Sequence, residues 1–110
     1  MKNETAPEEY LKRFEEKTKI MLDITRAKNN DYSWSQFAFK NFEQIEWITD
    51  WKISTADGIL VRMTDKMSRI ATLLNWEQQV ADEKITDTLM DLSNYSIILS
   101  IYLETLKKED

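Results

Sequence analysis

Apolar residues recur three and four positions apart along most of this chain, the period of one face of an α-helix, with no sustained alternation of the kind strands need. Tyr10, Phe14, Ile20 or Met21, Ile24 and Ala27 predict a first helix from about Pro7 to about Lys28. Pro7 suits a first helical turn, and Glu8 and Glu9 lie where the helix dipole favours acid. The run Asn29-Asn30-Asp31-Tyr32-Ser33 is rich in residues that bond to their own backbone and predicts a loop. Phe39, Phe42, Ile45 or Glu46, and Ile48 or Thr49 then predict a helix from Ser35 to about Trp51. Ile53-Ser54-Thr55 breaks the pattern, and Ser54 or Thr55 is an expected N-cap for a third helix, Ala56 to about Asn75. Its stripe reads Ile59/Leu60, Met63, Met67, Ile70, Leu74.

A fourth helix is expected from about Val80 to Lys107, with a stripe of Ile85, Leu89, Leu92, Ser96, Leu99, Leu103 or Tyr102, and Leu106. From Tyr95 to Leu103 it is apolar on nearly every side, so it must be covered on more than one face, by its own bundle or by a second subunit. The expectation is a single all-α domain over residues 1–110, four-helix bundle-like, with helices shared across a homo-oligomer interface of a dimer or larger. Residues 1–6 and 108–110 are expected to be disordered. Trp47, Trp51 and Trp76, near helix ends, read as packing residues. No apolar run approaches the ~20 residues of a membrane span, and the polar start is unlike a signal peptide, so no membrane partner and a cytoplasmic location are expected.

Composition narrows the chemistry. The 110 residues include no cysteine, no histidine and one glycine. A Cys/His zinc site, a thiol nucleophile and a histidine triad are excluded within one copy, and Gly58 alone writes no phosphate-binding glycine loop. Any chemistry falls to carboxylates, Lys/Arg, hydroxyls, amides and aromatic rings. The net charge of −5 is uneven: residues 77–110 hold 3 basic and 8 acidic side chains, whereas the preceding part is balanced. Broad nucleic-acid binding, which needs Lys/Arg against phosphates, is argued against.

Two charged faces stand out. Glu83, Asp87 and Asp91 follow one another at intervals of four, one line on a helix, continued by Asn94. Like charges at that spacing repel. Magnesium, which needs only one or two carboxylates and is often shared with substrate phosphates, would relieve them, but a plain solvated helix face has the same spacing. On the third helix Arg62, Asp65, Lys66 and Arg69 stand away from the apolar stripe. Such a row suits a nucleoside di- or triphosphate, since Arg grips phosphate oxygens bidentately and Lys acts as a point charge. Interhelical salt bridges, with Asp65 to Arg69 as an intrahelical pair, are the competing reading. Asp31, Tyr32 and Trp34 lie in the predicted loop, where a ring could stack on a base or fold back over the core.

Four blocks carry a resemblance: Lys28-Asn29-x-Asp31-Tyr32, Phe39-x-Asn41-Phe42, Gly58-Ile59-Leu60-Val61-Arg62-Met63-x-Asp65-Lys66-Met67-Ser68-Arg69-Ile70, and Asp82-Glu83-x-Ile85-x-Asp87-Thr88-Leu89-x-Asp91-Leu92-x-Asn94-Tyr95. Together, over roughly Lys28 to Leu103, they resemble a phage and prophage family of nucleotide-modification-associated proteins. That family is distantly similar to the all-α nucleoside triphosphate pyrophosphohydrolases, the MazG and dimeric dUTPase superfamily. The resemblance implies an oligomeric helical bundle that takes a nucleotide ligand, with Mg held by helix carboxylates, in a host cytoplasm. It places Asp65, Glu83, Asp87 and Asp91 as metal ligands, and Glu83 or Asp87 as the catalytic carboxylate acting on a water. Asp31, Tyr32, Trp34, Arg62, Lys66, Arg69, Asn94 and Tyr95 become the nucleotide contacts.

The match is incomplete. Those pyrophosphohydrolases pair Glu-x-x-Glu on one helix with Glu-x-x-Asp on the next; here the third helix offers only Asp65, and the fourth spaces its acids by four. Three functions therefore stand side by side. They are a Mg-dependent pyrophosphohydrolase, a non-catalytic nucleotide sensor or sequestering protein serving phage counter-defence or DNA modification, and a helical protein-protein interaction module. Packing discriminates them: acids all paired with Arg62, Lys66 or Arg69 and no cavity would favour the last.

Overall fold

A computed structural model describes residues 2–32, 38–75 and 82–109, with side chains described over 2–28, 38–75 and 85–106. The protein is all-α: α1 Pro7–Tyr32, α2 Lys40–Ile48, α3 Thr55–Asn75 and α4 Asp82–Glu109, with no strand among the described residues. Contacts divide the chain into a unit Met1–Trp34, which carries α1, and a unit Ser35–Asp110, which carries α2, α3 and α4. Among the described residues no helix is long and apolar enough to cross a membrane.

α1 runs 26 residues, through the predicted loop to Tyr32. Asn and Asp each cost a helix only about 0.7 kcal/mol or less relative to Ala, while each added residue of a formed helix gains a backbone bond. The turn residues therefore lose to propagation. Along α1, Arg13 bonds Glu9 one turn earlier at 3.1 Å, and the rings of Tyr10 and Phe14 lie 6.2 Å apart. Its apolar positions Tyr10, Phe14, Ile20 and Ile24 are exposed.

In the second unit α3 and α4 make the principal packing, and α2 packs on α3. Ser54 is the N-cap of α3: its Oγ accepts the Asp57 N–H at 3.0 Å, satisfying one of the donors a helix start leaves free. The neighbouring Thr55 points inward, fully buried, and its hydroxyl donates to the Glu46 carboxylate on α2 at 2.5 Å. Ile59 is fully buried one turn later, and Tyr102 of α4 is 7% exposed. Two aromatic pairs tie α2 and its N-cap residue to α4: Phe39 with Tyr102 at 5.3 Å, and Phe42 with Tyr95 at 6.5 Å, both edge-on.

The covered stripes differ from the expected ones. On α3 the line is Ile59, Met63, Lys66, Ile70 and Leu73, whereas Leu60, Met67 and Leu74 are exposed. On α4 it is Ile85, Thr88, Leu92, Tyr95, Leu99 and Tyr102, a strict alternation of three and four, with Leu89, Ser96, Leu103 and Leu106 outside it. The 3–4 alternation is that of two helices packed lengthwise; Lys66 is admitted to it through its pair with Asp91, and Thr88 is engaged as well. The Met and Leu residues just off the line were indistinguishable from it by hydrophobicity.

α2 is shorter than the predicted 35–51, ending at Ile48. Its end is a Schellman motif: the Asp50 N–H donates to the Trp47 carbonyl at 3.2 Å and the Trp51 N–H to the Glu46 carbonyl at 2.5 Å. Asp50 takes the left-handed conformation this needs, φ 56°, and Trp51 follows at φ 65°. The Thr49 hydroxyl donates to the Ile45 carbonyl at 2.6 Å and accepts the Ile53 N–H at 3.2 Å, which turns the chain toward α3.

Gly58 lies in the first turn of α3, and its role is close approach. A Cβ there would stand 3.2 Å from Ile45 Cγ2 of α2. Gly58→Val adds three carbons against Ile45 and should cost about 1–3 kcal/mol through overpacking, read as a lower urea midpoint with unchanged slope.

Candidate functional site

The outer turns of α3 and the facing side of α4 enclose an open groove of about 640 Å³. Arg62, Asp65, Lys66 and Arg69 line it from α3, Ser68 and Thr72 add hydroxyls, and Tyr95 lines it from α4. Positions 62, 65, 66, 69 and 72 fall on one side of a helix, so the gathering of charge follows directly from α3 being continuous. Three bases face one acid within the groove. The Thr72 hydroxyl donates to the Ser68 carbonyl at 3.1 Å, so its oxygen remains as an acceptor while the Ser68 hydroxyl remains a donor.

Two interactions set the groove's edges. Lys66 Nζ donates to Asp91 Oδ2 at 3.2 Å, an ion pair between α3 and α4 with both side chains partly covered. An ammonium has three donors, so two remain for the groove. The Arg62 guanidinium carbon stands 5.2 Å from the centre of the Phe42 ring, within cation–π range. Phe42 in turn meets Tyr95 edge-on, so α2 braces the arginine against the ring that lines the opposite wall.

Of the residues expected to form a site, Arg62, Asp65, Lys66, Arg69 and Tyr95 line one groove. Asp91 meets it through Lys66. Asp87 is exposed one turn earlier on α4. Asn94 is half-buried and already engaged. The Asp65 to Arg69 pair does not form; the ion pairs among the described residues are Glu9 to Arg13, Asp23 to Arg26 and Asp91 to Lys66. Trp34 and the side chains of Asp31, Tyr32 and Glu83 lie outside the described residues. Among the described residues no three acidic side chains gather to hold a metal ion. Asp65, Asp87 and Asp91 thus do not form a cage by themselves. Sequence reasoning missed Ser68 and Thr72, which polar composition alone did not distinguish from surface, and the bracing role of Phe42, which its helical spacing had assigned to the core.

A family model described as nucleotide modification associated domain 1 matches residues 28–103. The chain belongs to this family. The matched stretch contains α2, α3 and α4 as far as Leu103, and with them the whole groove; most of α1 precedes it. No curated protein and no solved structure gives a significant match.

The Lys66 to Asp91 pair is the interhelical contact most open to measurement. A double-mutant cycle with Lys66→Met and Asp91→Asn should return a coupling of about 0.5–1 kcal/mol in chemical denaturation, shrinking as salt is raised. Zero coupling at low salt would show that the pair does not hold α3 to α4.

Proposed function

We propose that this member of the nucleotide modification associated family binds the phosphate chain of a nucleotide in the groove between α3 and α4. One observation carries the reading: Arg62, Lys66 and Arg69 converge on a single open groove, and Arg69 has no ion-pair partner among the described residues. Unpaired guanidinium beside a second one and an ammonium is matched by an oligoanion. Tyr95, held edge-on by Phe42, offers the opposite wall an aromatic face for a base or sugar. The domain family's name is compatible with such a ligand.

Calorimetric titration with magnesium-complexed nucleoside di- and triphosphates should show saturable binding that falls with salt. Arg69→Ala and Arg62→Ala should each weaken it about tenfold or more, the worth of a charge-assisted hydrogen bond. No heat from mono-, di-, tri- or cyclic nucleotides sinks the proposal.

Hydrolysis is the second reading, and Asp65 supports it by standing among the bases. Magnesium arriving with a triphosphate needs only one or two protein carboxylates, which Asp65 could supply, with Asp87 and Glu83 as the further candidates. When bound, the ion would polarise phosphoryl oxygens. This chain's own part would be to orient the phosphates through Arg62, Lys66 and Arg69 and to offer one carboxylate to a water. Metal-dependent release of pyrophosphate from the wild-type protein, lost in Asp65→Asn, separates this reading from binding alone.

The assembly is proposed to be a homo-oligomer built on α4. Between Asp91 and Glu104 the helix carries no charged residue. Its inner stripe packs on α3 and α2, yet Ile97, Ile101 and Leu103 stand exposed with Ser93, Ser96 and Ser100 among them. About 18 Å of uncharged helix at the ordinary rise, with small residues allowing close approach, supports a second copy as its cover. Sedimentation at tens of micromolar should give a dimer or larger, and Ile97→Lys with Ile101→Lys should shift it toward monomer; a monomeric wild-type protein rules the assembly out.

A further inference from the structure

Trp47 and Trp51, which their positions near a helix end marked as packing residues, are not packed: they are 61% and 69% exposed. They line, with Glu43, Glu46 and Lys40, a groove of about 340 Å³ along α2. None of these residues belongs to the groove between α3 and α4. Trp47 comes from the last turn of the helix. Trp51 reaches the same groove because the two consecutive left-handed residues, Asp50 and Trp51, turn the chain back on itself.

The charges around these indoles point to what they meet. Glu43 is exposed and makes no ion pair among the described residues. The Glu46 carboxylate is held in place by the buried Thr55 hydroxyl through one oxygen, which leaves the other. The last turn of α2 has no basic residue to offset the negative end of its dipole. Lys40 lines the same groove one turn before Glu43 and about 9 Å along the axis from Glu46, so the lining sets two acids and two indoles against one base. Indole faces attract cations, and a carboxylate takes a guanidinium through two parallel bonds. A compact ammonium would use the acids but has no plane to lay on the rings.

We propose that this groove is a docking site for an arginine side chain of a partner polypeptide, stacked on Trp47 or Trp51 and paired with Glu43 and Glu46. The site is separate from the nucleotide groove, and its occupant has the opposite charge.

The probe is a capped Gly-Arg-Gly peptide, with its citrulline counterpart as a neutral control of the same shape, titrated into the full chain. The four tryptophans give four indole N–H signals by NMR, assigned with Trp47→Phe and Trp51→Phe. The arginine peptide should move the Trp47 and Trp51 signals saturably in the millimolar range, citrulline should bind about tenfold more weakly, and Glu43→Gln should weaken the arginine peptide about fivefold. The Gln variant keeps size and shape, and its unchanged remaining signals report that the fold is intact. Equal binding of citrulline overturns the proposal, as does the absence of a saturable shift. Movement of the same two signals on simple dilution also overturns it, since the groove would then be a contact between copies of this chain.

Discussion

The ion pair between Lys66 and Asp91 is the contact on which the arrangement of the second unit turns. It joins α3 to α4 at 3.2 Å, with both side chains partly covered, where water competes less than at an open surface. A particular rotation of α3 goes with it. With Lys66 turned toward α4, the covered line becomes Ile59, Met63, Lys66, Ile70 and Leu73, and Met67 and Leu74 are carried outward. A purely apolar choice would have placed Met67 inside and turned the basic residues elsewhere.

That rotation determines what the groove contains. Because Asp91 is used by Lys66, the acid remaining among the bases is Asp65, and Arg62 and Arg69 keep their charge for something else. Arg62 is steadied by the Phe42 ring without being neutralised by it, since a ring quadrupole attracts a cation but carries no net charge. The groove is thus basic in a chain whose net charge is −5. The bulk charge is negative and the local charge of the groove positive, and the proposed anion site rests on that contrast. Family membership and groove coincide, because the matched residues 28–103 contain every side chain that lines it.

The interior is thin. Among the described residues only Ile59 and Tyr102 are buried apolar side chains, and two threonines, Thr55 and Thr88, are buried with them. Such an interior leans on specific contacts: the Thr55 hydroxyl on Glu46, the edge-on rings of Phe39 and Phe42 on α4, and the close approach of α2 to Gly58. Gly58 illustrates how a residue's meaning changes in three dimensions. In the sequence it was notable for being the lone glycine, too few for a phosphate loop. In the structure it makes the space that Ile45 fills.

The sequence by itself determined the all-α class, the four helices and their order, Ser54 as one of two candidate caps, and the charged face of α3, because all of these depend on spacing within one segment. Helix limits were less legible: α1 passes through Asn29 to Asp31, whose local preferences are weaker than helix propagation. Only the tertiary structure decided which of several adjacent apolar residues faced inward, that Asp91 rather than Asp65 is paired, that Phe42 braces Arg62, and that Trp47 and Trp51 stand in the open. The reason is the same in each case. A helical period marks a face to within about one residue, some 100° of rotation, and which side of that face is buried depends on the partner helix's side chains, which lie tens of positions away in the chain.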